Sequence, residues 1–345
     1  MKKIAIIGGG LAGTACAHAL KKIVDNVVIY EAGPTLASGA SGNKVGLYNP
    51  RLAAEVTPES EYYMRAFKRA PGIFEQLRDI DWNSCGALHL ITDEKRDIRY
   101  RKMIESWGWP DEDMRLVSAQ EASEIAGVAL SHDSLYLPRS GYVSPEKLCH
   151  ALADGAEVRL NMRIENLDEL EADVVILACG MNVQNFEGLE RLNLRGVRGQ
   201  VTYAAPGAVS RGLKTALCYG GYLSPAHNGE HAFGASFQRW LSHTDIIPQD
   251  DLDNLEKLAV VAPVLAEDMR ITNHRAAMRT TASDHFPIVG RVRDGVYVST
   301  AHGSHGIINS LEAAAFLRDL ITGQSPDLPR ETIERLSPAR YTHAT

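Results

Sequence analysis

The segment 8–13, which reads GGGLAG, constrains the fold more than any other part of this 345-residue chain. It follows a short β-branched run at 2–7 and precedes a stretch with helical apolar periodicity. A second apolar run at 26–31 ends in Glu31, and seventeen residues lie between Gly13 and Glu31. The order strand, glycine turn, helix, strand and acid predicts a βαβ unit that binds a dinucleotide. The apolar stripe of the predicted helix consists of Leu11, Ala12, Ala15, Ala19, Leu20 and Ile23.

Each position of this unit has a physical role in a dinucleotide site. Gly8 permits the tight turn, Gly10 lets a pyrophosphate approach the backbone, and Gly13 lets the helix pack closely on the strand. The free N–H groups and the positive end of the helix dipole attract the phosphates. Glu31 accepts hydrogen bonds from a ribose. The alternative is a glycine-rich turn in an unrelated α/β fold.

The segment 38–46, SGASGNKVG, follows Glu31 closely and favours neither a helix nor a strand. Such a stretch is typical of a surface linker. Small residues also let backbone N–H groups come close to a bound ligand, so the segment is equally suited to a ligand cradle. The residues alone leave both interpretations open.

Composition limits the classes of function. The formal charge of −7 argues against a general nucleic-acid binder, although a local basic face is compatible with it. No run of 18 apolar residues occurs, so we expect no membrane span. The five cysteines show no C-x-x-C pair and no metal-ligand spacing. We therefore expect reduced thiols, a cytoplasmic protein and no metal.

Later segments limit the kind of dinucleotide. The chain has no second GxGxxG and no redox dithiol, which argues against a disulfide reductase with two nucleotide sites. Apolar runs at 157–167 and 172–180 predict two strands; the second ends in small residues and either approaches the cofactor or is a plain core strand. The segment 295–320 predicts a strand, a glycine turn and a helix whose start could face a redox ring.

Taken together, these motifs resemble those of the D-amino-acid-oxidase-type FAD oxidoreductases over nearly the whole chain. The resemblance includes GGGLAG with Glu31, CGALHL (85–90), LYLPRSGYVSPEKL (135–148), ADVVILACG (172–180), RGVRGQV (195–201), RTTASDHFPIVG (279–290) and AHGSHGI (301–307). It implies that the late glycine turn lies by the flavin ring and that segment 38–46 follows the pyrophosphate. The implied FAD contacts are Gly8, Gly10, Leu11, Ala12, Gly13, Glu31, Ala32, Ala40, Ser41, Gly42, Asn43, Ile164, Ala178, Cys179, Gly180, Gly303, Ser304, His305, Gly306 and Ile307.

The resemblance also implies the architecture. We expect an α/β protein, α+β overall, with a Rossmann-like, glutathione-reductase-like FAD-binding domain and an interleaved substrate domain on a mixed or antiparallel sheet. The FAD-binding domain is expected at 1–80, 142–193 and 277–345, and the substrate domain at 81–141 and 194–276. No cysteine occurs in the RTTASDH segment, so we expect non-covalent FAD. Thr57 and Pro58 predict the N-cap and first residue of a helix.

Several motifs are similar to one branch of this family, the oxidoreductase half of the bifunctional enzymes that make 5-methylaminomethyl-2-thiouridine at the tRNA wobble position. These motifs are ASGASGN (37–43), GLYNPRL (46–52), CYGGYLSPA (218–226) and FGASFQ (233–238). The resemblance implies oxidation of 5-carboxymethylaminomethyluridine to 5-aminomethyluridine and glyoxylate. Because the sequence begins at the FAD strand, we expect this protein to perform only the oxidation, with methylation carried out by a separate methyltransferase partner or not at all. The alternatives are oxidation of a small free amine, such as glycine, sarcosine or a D-amino acid, and a flavin-binding structural role.

Oxidation of an N-substituted glycine requires a group that holds the substrate carboxylate, and arginine can do so with two parallel hydrogen bonds. Arg279 matches a substrate-side arginine of the family; the alternative is that it pairs with Asp284. Tyr219, Tyr222 and His305 are further catalytic candidates, although each could equally be structural. Tyr48 and Arg51 are weaker ones. Two basic runs could meet tRNA phosphates or be plain solvated surface, namely Arg191, Arg195 and Arg198, and Arg96, Arg99, Arg101 and Lys102.

Overall fold

The computed structural model describes residues 2–24 and 26–341. Its β-strands are, in chain order, β1 Lys3–Ile7, β2 Asn26–Tyr30, β3 Gly46–Tyr48, β4 Ala87–Leu90, β5 Arg115–Val117, β6 Ser134–Leu137, β7 Gly141–Val143, β8 Glu157–Arg159, β9 Val174–Leu177, β10 Arg195–Ala205, β11 Ala216–Cys218, β12 Tyr222–Leu223, β13 His231–Gly234, β14 Arg270–Thr281, β15 Ile288–Arg293 and β16 Val296–Thr300.

The α-helices are α1 Leu11–Leu20, α2 Pro58–Phe74, α3 Glu94–Trp107, α4 Ala119–Ala126, α5 Pro145–Ala153, α6 Pro248–Val261, α7 Pro263–Asp268, α8 Gly306–Thr322 and α9 Arg330–Leu336. Short 3-10 turns occur at Leu167–Glu169, Gly180–Asn185, Glu190–Leu192, Ser210–Gly212, Gly303–His305 and Pro338–Tyr341. Within the described ranges, none of these helices combines the length and the apolar character that a membrane span needs.

Six strands form the dinucleotide-binding sheet, in the order β15-β16-β9-β1-β2-β8. All neighbours are parallel except the hairpin of β15 and β16. The central strands are apolar on both faces because each face is covered, as a parallel sheet requires. One face packs against α1, α2, α5 and α8, and the other against the segment around Val183 to Leu194. The carboxyl ends of β1, β2, β9 and β16 therefore meet at one edge.

Eight further strands form the second sheet, in the order β14-β10-β13-β12-β11-β4-β6-β5. Neighbours are antiparallel except the parallel pair β4 and β11, so this sheet is mixed. The prediction of a mixed or antiparallel second sheet is confirmed, as is the α/β fold class. Its outer face packs against α4, α6 and α7.

The domain boundaries given above stay a prediction. The strands of the second sheet fall at 87–137 and 195–281, inside the segments expected for the substrate domain except at one point. That point is β14, which continues through the expected boundary at 277 as far as Thr281.

Local signals at element ends have mixed outcomes. The Thr57 side chain accepts a hydrogen bond from Ser60 N, and Pro58 is the first residue of α2, as predicted. The predicted α1 stripe is too long, because the helix ends at Leu20 and Ile23 is 50% exposed. The strand expected over 157–167 is also too long. It stops at Arg159, since Asn161 adopts a left-handed φ of 56° and turns the chain toward β2.

Candidate active site

A large cavity lies where the carboxyl ends of the parallel strands face the second sheet. Its volume is about 1630 Å³. Pockets for one small ligand usually measure about 300–1,000 Å³. The larger volume leaves room for a dinucleotide and a substrate together.

The glycine turn after β1 forms the closed end of this cavity. Gly8 has φ +114°, and a Cβ there would lie 2.5 Å from the Ala178 carbonyl oxygen. A Cβ on Gly13 would lie 1.9 Å from the Gly8 carbonyl oxygen, so α1 packs directly on the turn. Gly13 is consequently a packing residue and is absent from the cavity wall, which includes Gly8, Gly10 and Leu11.

Hydrogen bonds from the glycine turn after β1 and from the loop after β2 fix the Glu31 carboxylate. Gly9 N donates to Glu31 Oε2 at 2.7 Å, while Gly33 N and Ser38 Oγ donate to Oε1 at 2.7 and 2.8 Å. Each carboxylate oxygen has about two acceptor sites. Oε2 therefore keeps one free for a ribose hydroxyl.

The segment 38–43 is part of the cavity wall. Ser41 Oγ accepts a hydrogen bond from Leu11 N at 3.0 Å, which fixes the segment to the start of α1. Arg275 of β14 donates to Asn43 Oδ1 at 3.1 Å and to the Gly39 carbonyl. Gly42 is not in the wall; a Cβ there would lie 2.5 Å from Arg275 Nη2, so its glycine makes room for the guanidinium.

The turn before α8 faces the cavity from β16. Gly306 and Ile307 open α8, whose N-terminus has no side-chain cap. Burial, and secondarily the charge of Arg51, lowers the pKa of His305 to about 4, so its ring is neutral at pH 7. Burial lowers the pKa of His302 to about 4 as well. Its Nε2 lies 3.1 Å from Ser299 Oγ, while its buried Nδ1 has no partner among the described residues.

Arg279 lies in the cavity wall on the side of the second sheet. Within the described ranges its side chain has no ion pair and one hydrogen bond, a long one of 3.5 Å from Nη1 to the Ser236 carbonyl. Asp284 is not its partner, because that carboxylate pairs with Arg340. Burial lowers the pKa of the guanidinium, and the nearby Tyr222 partly offsets this effect. Arg279 is thus a cation that lacks an anion.

The two tyrosine candidates separate in the structure. Tyr222 lines the cavity, and burial raises the pKa of its hydroxyl, which therefore stays protonated. Tyr219 does not line the cavity; it is buried in the core of the second sheet and its hydroxyl donates to the Tyr222 carbonyl at 3.2 Å. The expectation of substrate contact by Tyr219 is wrong on this geometry. Two weaker candidates, Tyr48 and Arg51, are also outside the cavity wall. Tyr48 is buried and accepts a hydrogen bond from Trp82, and Arg51 donates one to Tyr63.

Most residues assigned to the cofactor from sequence do share this one wall. Besides Gly8, Gly10 and Leu11 they are Ala12, Glu31, Ala32, Ala40, Ser41, Asn43, Ile164, Ala178, Cys179, Gly180, Gly303, Ser304, His305, Gly306 and Ile307. Burial raises the pKa of Cys179 to about 12, so its thiol is neutral. That each of these residues contacts FAD stays a prediction.

Sequence reasoning missed several wall residues. His302, Asn49, Arg163, Phe237, Arg239 and Trp240 line the cavity, and Arg275 supports its wall from behind. Three of these residues lie in motifs named above: Asn49 in GLYNPRL, Phe237 in FGASFQ and His302 in AHGSHGI.

The two basic runs differ from the expectation of a free cationic face. Arg198 is fully buried and pairs with Asp250, so it cannot meet phosphates. Arg191 and Arg195 remain exposed. In the second run, Arg96, Arg101 and Lys102 pair with Asp93, Asp97 and Glu55, and Arg99 donates to the Leu52 carbonyl.

The wall as a whole fits a dinucleotide with a redox ring. Gly8 and Gly10 provide a glycine turn at a helix start, and Glu31 Oε2 has a free acceptor site. The turn before α8 presents a second uncapped helix start. Arg279 supplies the cation for an anionic substrate group.

Comparison with known proteins agrees with this geometry. The sequence profile of the family described as FAD dependent oxidoreductase matches residues 3–320. The tRNA 5-methylaminomethyl-2-thiouridine biosynthesis bifunctional protein of Idiomarina loihiensis is 32% identical over 359 residues, which cover 99% of this chain and 59% of that protein. The protein of the same name from Pseudomonas syringae is 30% identical, with 99% and 58% covered. The chain thus spans less than two thirds of these relatives.

Solved structures show the same fold at lower identity. Glycine oxidase from Geobacillus kaustophilus superposes with a TM-score of 0.87 at 21% identity, covering 98% of each chain. Iminodiacetate oxidase from Chelativorans sp. superposes with a TM-score of 0.83 at 21% identity, covering 97% of this chain and 99% of the other. With the profile match over most of the chain, these findings show that the protein belongs to the D-amino-acid-oxidase family of FAD-dependent oxidoreductases, and that FAD is its cofactor.

Proposed function

We propose that this enzyme oxidises the N-substituted glycine of 5-carboxymethylaminomethyluridine at the tRNA wobble position, releasing glyoxylate and leaving 5-aminomethyluridine. The proposal deepens what family membership gives, namely oxidation of a CH–NH donor with FAD. A tRNA substrate would place the enzyme in the cytoplasm. The methylamine in the relatives' names requires a later methyl transfer.

The observation that carries the proposal is Arg279. A guanidinium in a cavity wall without an acidic partner in the described chain is costly unless a ligand supplies the anion. The substrate carboxylate is such an anion, and guanidinium can hold it through two parallel hydrogen bonds. This places the adjacent methylene at a fixed distance from Arg279.

The reaction needs orientation more than acid–base chemistry. When bound, FAD accepts the hydride that the methylene loses. Loss of the hydride leaves a C=N bond between the methylene carbon and the amine nitrogen, and water adds to that carbon. The C–N bond then breaks to give the amine and glyoxylate. Arg279 holds the carboxylate throughout, and the neutral His305 and protonated Tyr222 can offer hydrogen bonds without adding charge.

Oxidation of a small free amine is the second candidate. It needs the same Arg279 contact, and the glycine oxidase and iminodiacetate oxidase folds favour it. Two curated relatives of at least 30% identity that cover 99% of the chain favour the tRNA substrate. The two candidates differ in how much of the substrate stays outside the cavity.

Anaerobic reduction of the bound flavin tests the proposal directly. The protein is mixed separately with glycine, sarcosine, D-alanine and tRNA that carries 5-carboxymethylaminomethyluridine, and the loss of flavin absorbance is followed. We expect bleaching by the tRNA with release of glyoxylate. The same tRNA without the carboxymethyl group is the matched control. Bleaching by a free amino acid but not by the modified tRNA would replace the proposal with the small-amine oxidase.

A further inference from the structure

The cavity mouth carries an aromatic stretch that the oxidation chemistry does not use. It is segment 236–242, in the irregular chain between β13 and α6, and we call it the rim. Phe237 is 49% exposed and Trp240 is 77% exposed, yet both line the cavity. Large apolar side chains exposed beside a binding cavity indicate a contact surface.

The base of the rim is fastened to the second sheet. Gln238 and Arg198 exchange two backbone hydrogen bonds of 2.9 Å each, and Ser236 N donates to the Gln200 carbonyl at 3.1 Å. Gln238 Nε2 also donates to Asp250 Oδ1 at 2.9 Å. Ser236 and Gln238 thus hold the rim beside β10, while Phe237, Arg239 and Trp240 line the cavity.

The charge at the rim suits a polyanion. The Arg239 guanidinium lies 5.3 Å from the centre of the Phe237 ring and has no acidic partner in the described chain. The nearest carboxylate in sequence, Asp245, is engaged by His243 at 3.1 Å. Arg195 is exposed at the start of β10, three residues before Arg198, whose backbone pairs with Gln238. Two cations, Arg239 and Arg195, thus belong to the region that carries the two aromatic side chains.

We propose that the rim is a stacking platform for an unpaired nucleobase next to the reacting nucleoside of an RNA loop, with Arg239 and Arg195 facing its phosphates. This inference rests on the proposed tRNA substrate. A free amino acid would be enclosed within the cavity and leave the rim without a contact. A nucleotide that places its side chain at Arg279 must leave its neighbours at the mouth, where base–aromatic stacking is favourable whatever the base.

Binding of RNA without turnover tests the platform. The probe is an unmodified anticodon stem–loop RNA, and its affinity for the holoenzyme is measured by fluorescence anisotropy. Trp240→Ala is expected to raise the Kd by about 5- to 150-fold. Trp240→Phe, which keeps a ring, should retain most of the affinity. Arg239→Gln should reduce the slope of log affinity against log salt by about 0.7, because one phosphate contact is lost.

The controls separate folding and chemistry from stacking. Val260 on α6 is also 77% exposed but does not line the cavity, so Val260→Ala should bind RNA as the wild type does. Flavin content and thermal midpoint check that each variant folds. Three results would each overturn the platform. Trp240→Ala could bind the RNA as tightly as the wild type, the wild type could bind a fully paired duplex as tightly as the stem–loop, or the wild type could bind no RNA. If Trp240→Ala binds RNA and releases glyoxylate from the modified tRNA as the wild type does, the platform is overturned and the proposed function stands. If RNA binding depends on Trp240 but no glyoxylate is released, the proposed function is overturned and the platform stands.

Discussion

Two arginines of neighbouring strands illustrate how context decides a residue's role. Arg198 pairs with Asp250 and also contacts Gln200 and Gln238, so its charge is compensated within the protein. Arg279 has no such partner in the described chain and faces the cavity. The first arginine contributes to the fold, and the second is available to a ligand.

Replacing each arginine by methionine should separate these roles. Arg279→Met is expected to lower kcat/KM for a carboxylate-bearing substrate about 30- to 5,000-fold, mainly through a higher KM. This corresponds to a loss of about 2–5 kcal/mol of transition-state stabilisation. Its free energy of unfolding should stay within about 1 kcal/mol, since no partner is left uncompensated. Arg198→Met should destabilise by about 3–5 kcal/mol, because Asp250 remains buried and charged. Equal destabilisation by both substitutions would remove Arg279 from the anion site.

At this scale the sequence reveals residue types but not their partners. A sequence motif identifies Arg279. The sequence does not distinguish Tyr219 from Tyr222, because the turn between them buries the first and places the second in the cavity wall. Arg275 had no signal, because its contacts with Gly39 and Asn43 join segments far apart in the chain.

At the scale of elements, the loop at 38–43 depends on β14, a strand of the second sheet. Segment 38–43 has no regular hydrogen bonding of its own; Ser41 ties it to α1 and Arg275 ties it to β14. A loop that is ordered before the ligand arrives loses less conformational entropy on binding. We therefore expect the fit of this loop to FAD to depend on Arg275.

We expect Arg275→Gln to weaken FAD binding by about 5- to 30-fold, which corresponds to about 1–2 kcal/mol from lost charge-assisted hydrogen bonds. Titration of the apoprotein with FAD measures this change. Arg270→Gln, at the exposed start of the same strand, is the control and should bind FAD normally. An unchanged affinity in Arg275→Gln would contradict the role of Arg275 in ordering this loop.

Elements with a local signal were predicted well. β1, α1 and the cap of α2 follow from glycine, alternation and capping residues within a few positions. The end of β8 has no such local signal. β8 is an edge strand, and it stops at Arg159 because Asn161 and Met162 donate hydrogen bonds to the chain just after β2. The order of strands in the second sheet is equally non-local.

For the whole molecule, buried histidines make stability depend on pH. Burial lowers the pKa of four histidines to about 4, namely His18, His89, His302 and His305. Nearby lysines or arginines add to the effect at all of these except His302. The unfolded chain would hold these groups near the ordinary value of about 6.5. Between about pH 6.5 and 4 the unfolded state therefore binds more protons than the folded state.

The free energy of unfolding of the holoenzyme should consequently be highest above pH 6.5 and fall as the pH decreases toward 4. Each fully shifted histidine contributes at most about 1.4 kcal/mol per pH unit. His89 lies outside the cavity, and His89→Phe should make the decrease shallower when denaturant midpoints at pH 7 and 5 are compared. His150→Phe, at an exposed position on α5, should leave the slope as in the wild type. A slope unchanged by His89→Phe would contradict this account.

The rim has a consequence for how such an enzyme can diverge. Ser236 and Gln238 hold it to β10 through the backbone and through Asp250, whereas Phe237, Arg239 and Trp240 make no contact on which that attachment depends. Different residues of one short stretch thus carry stability and recognition separately. Mutations can change what the mouth accepts without unfolding the sheet behind it, so substrate preference is free to drift on a fixed catalytic scaffold.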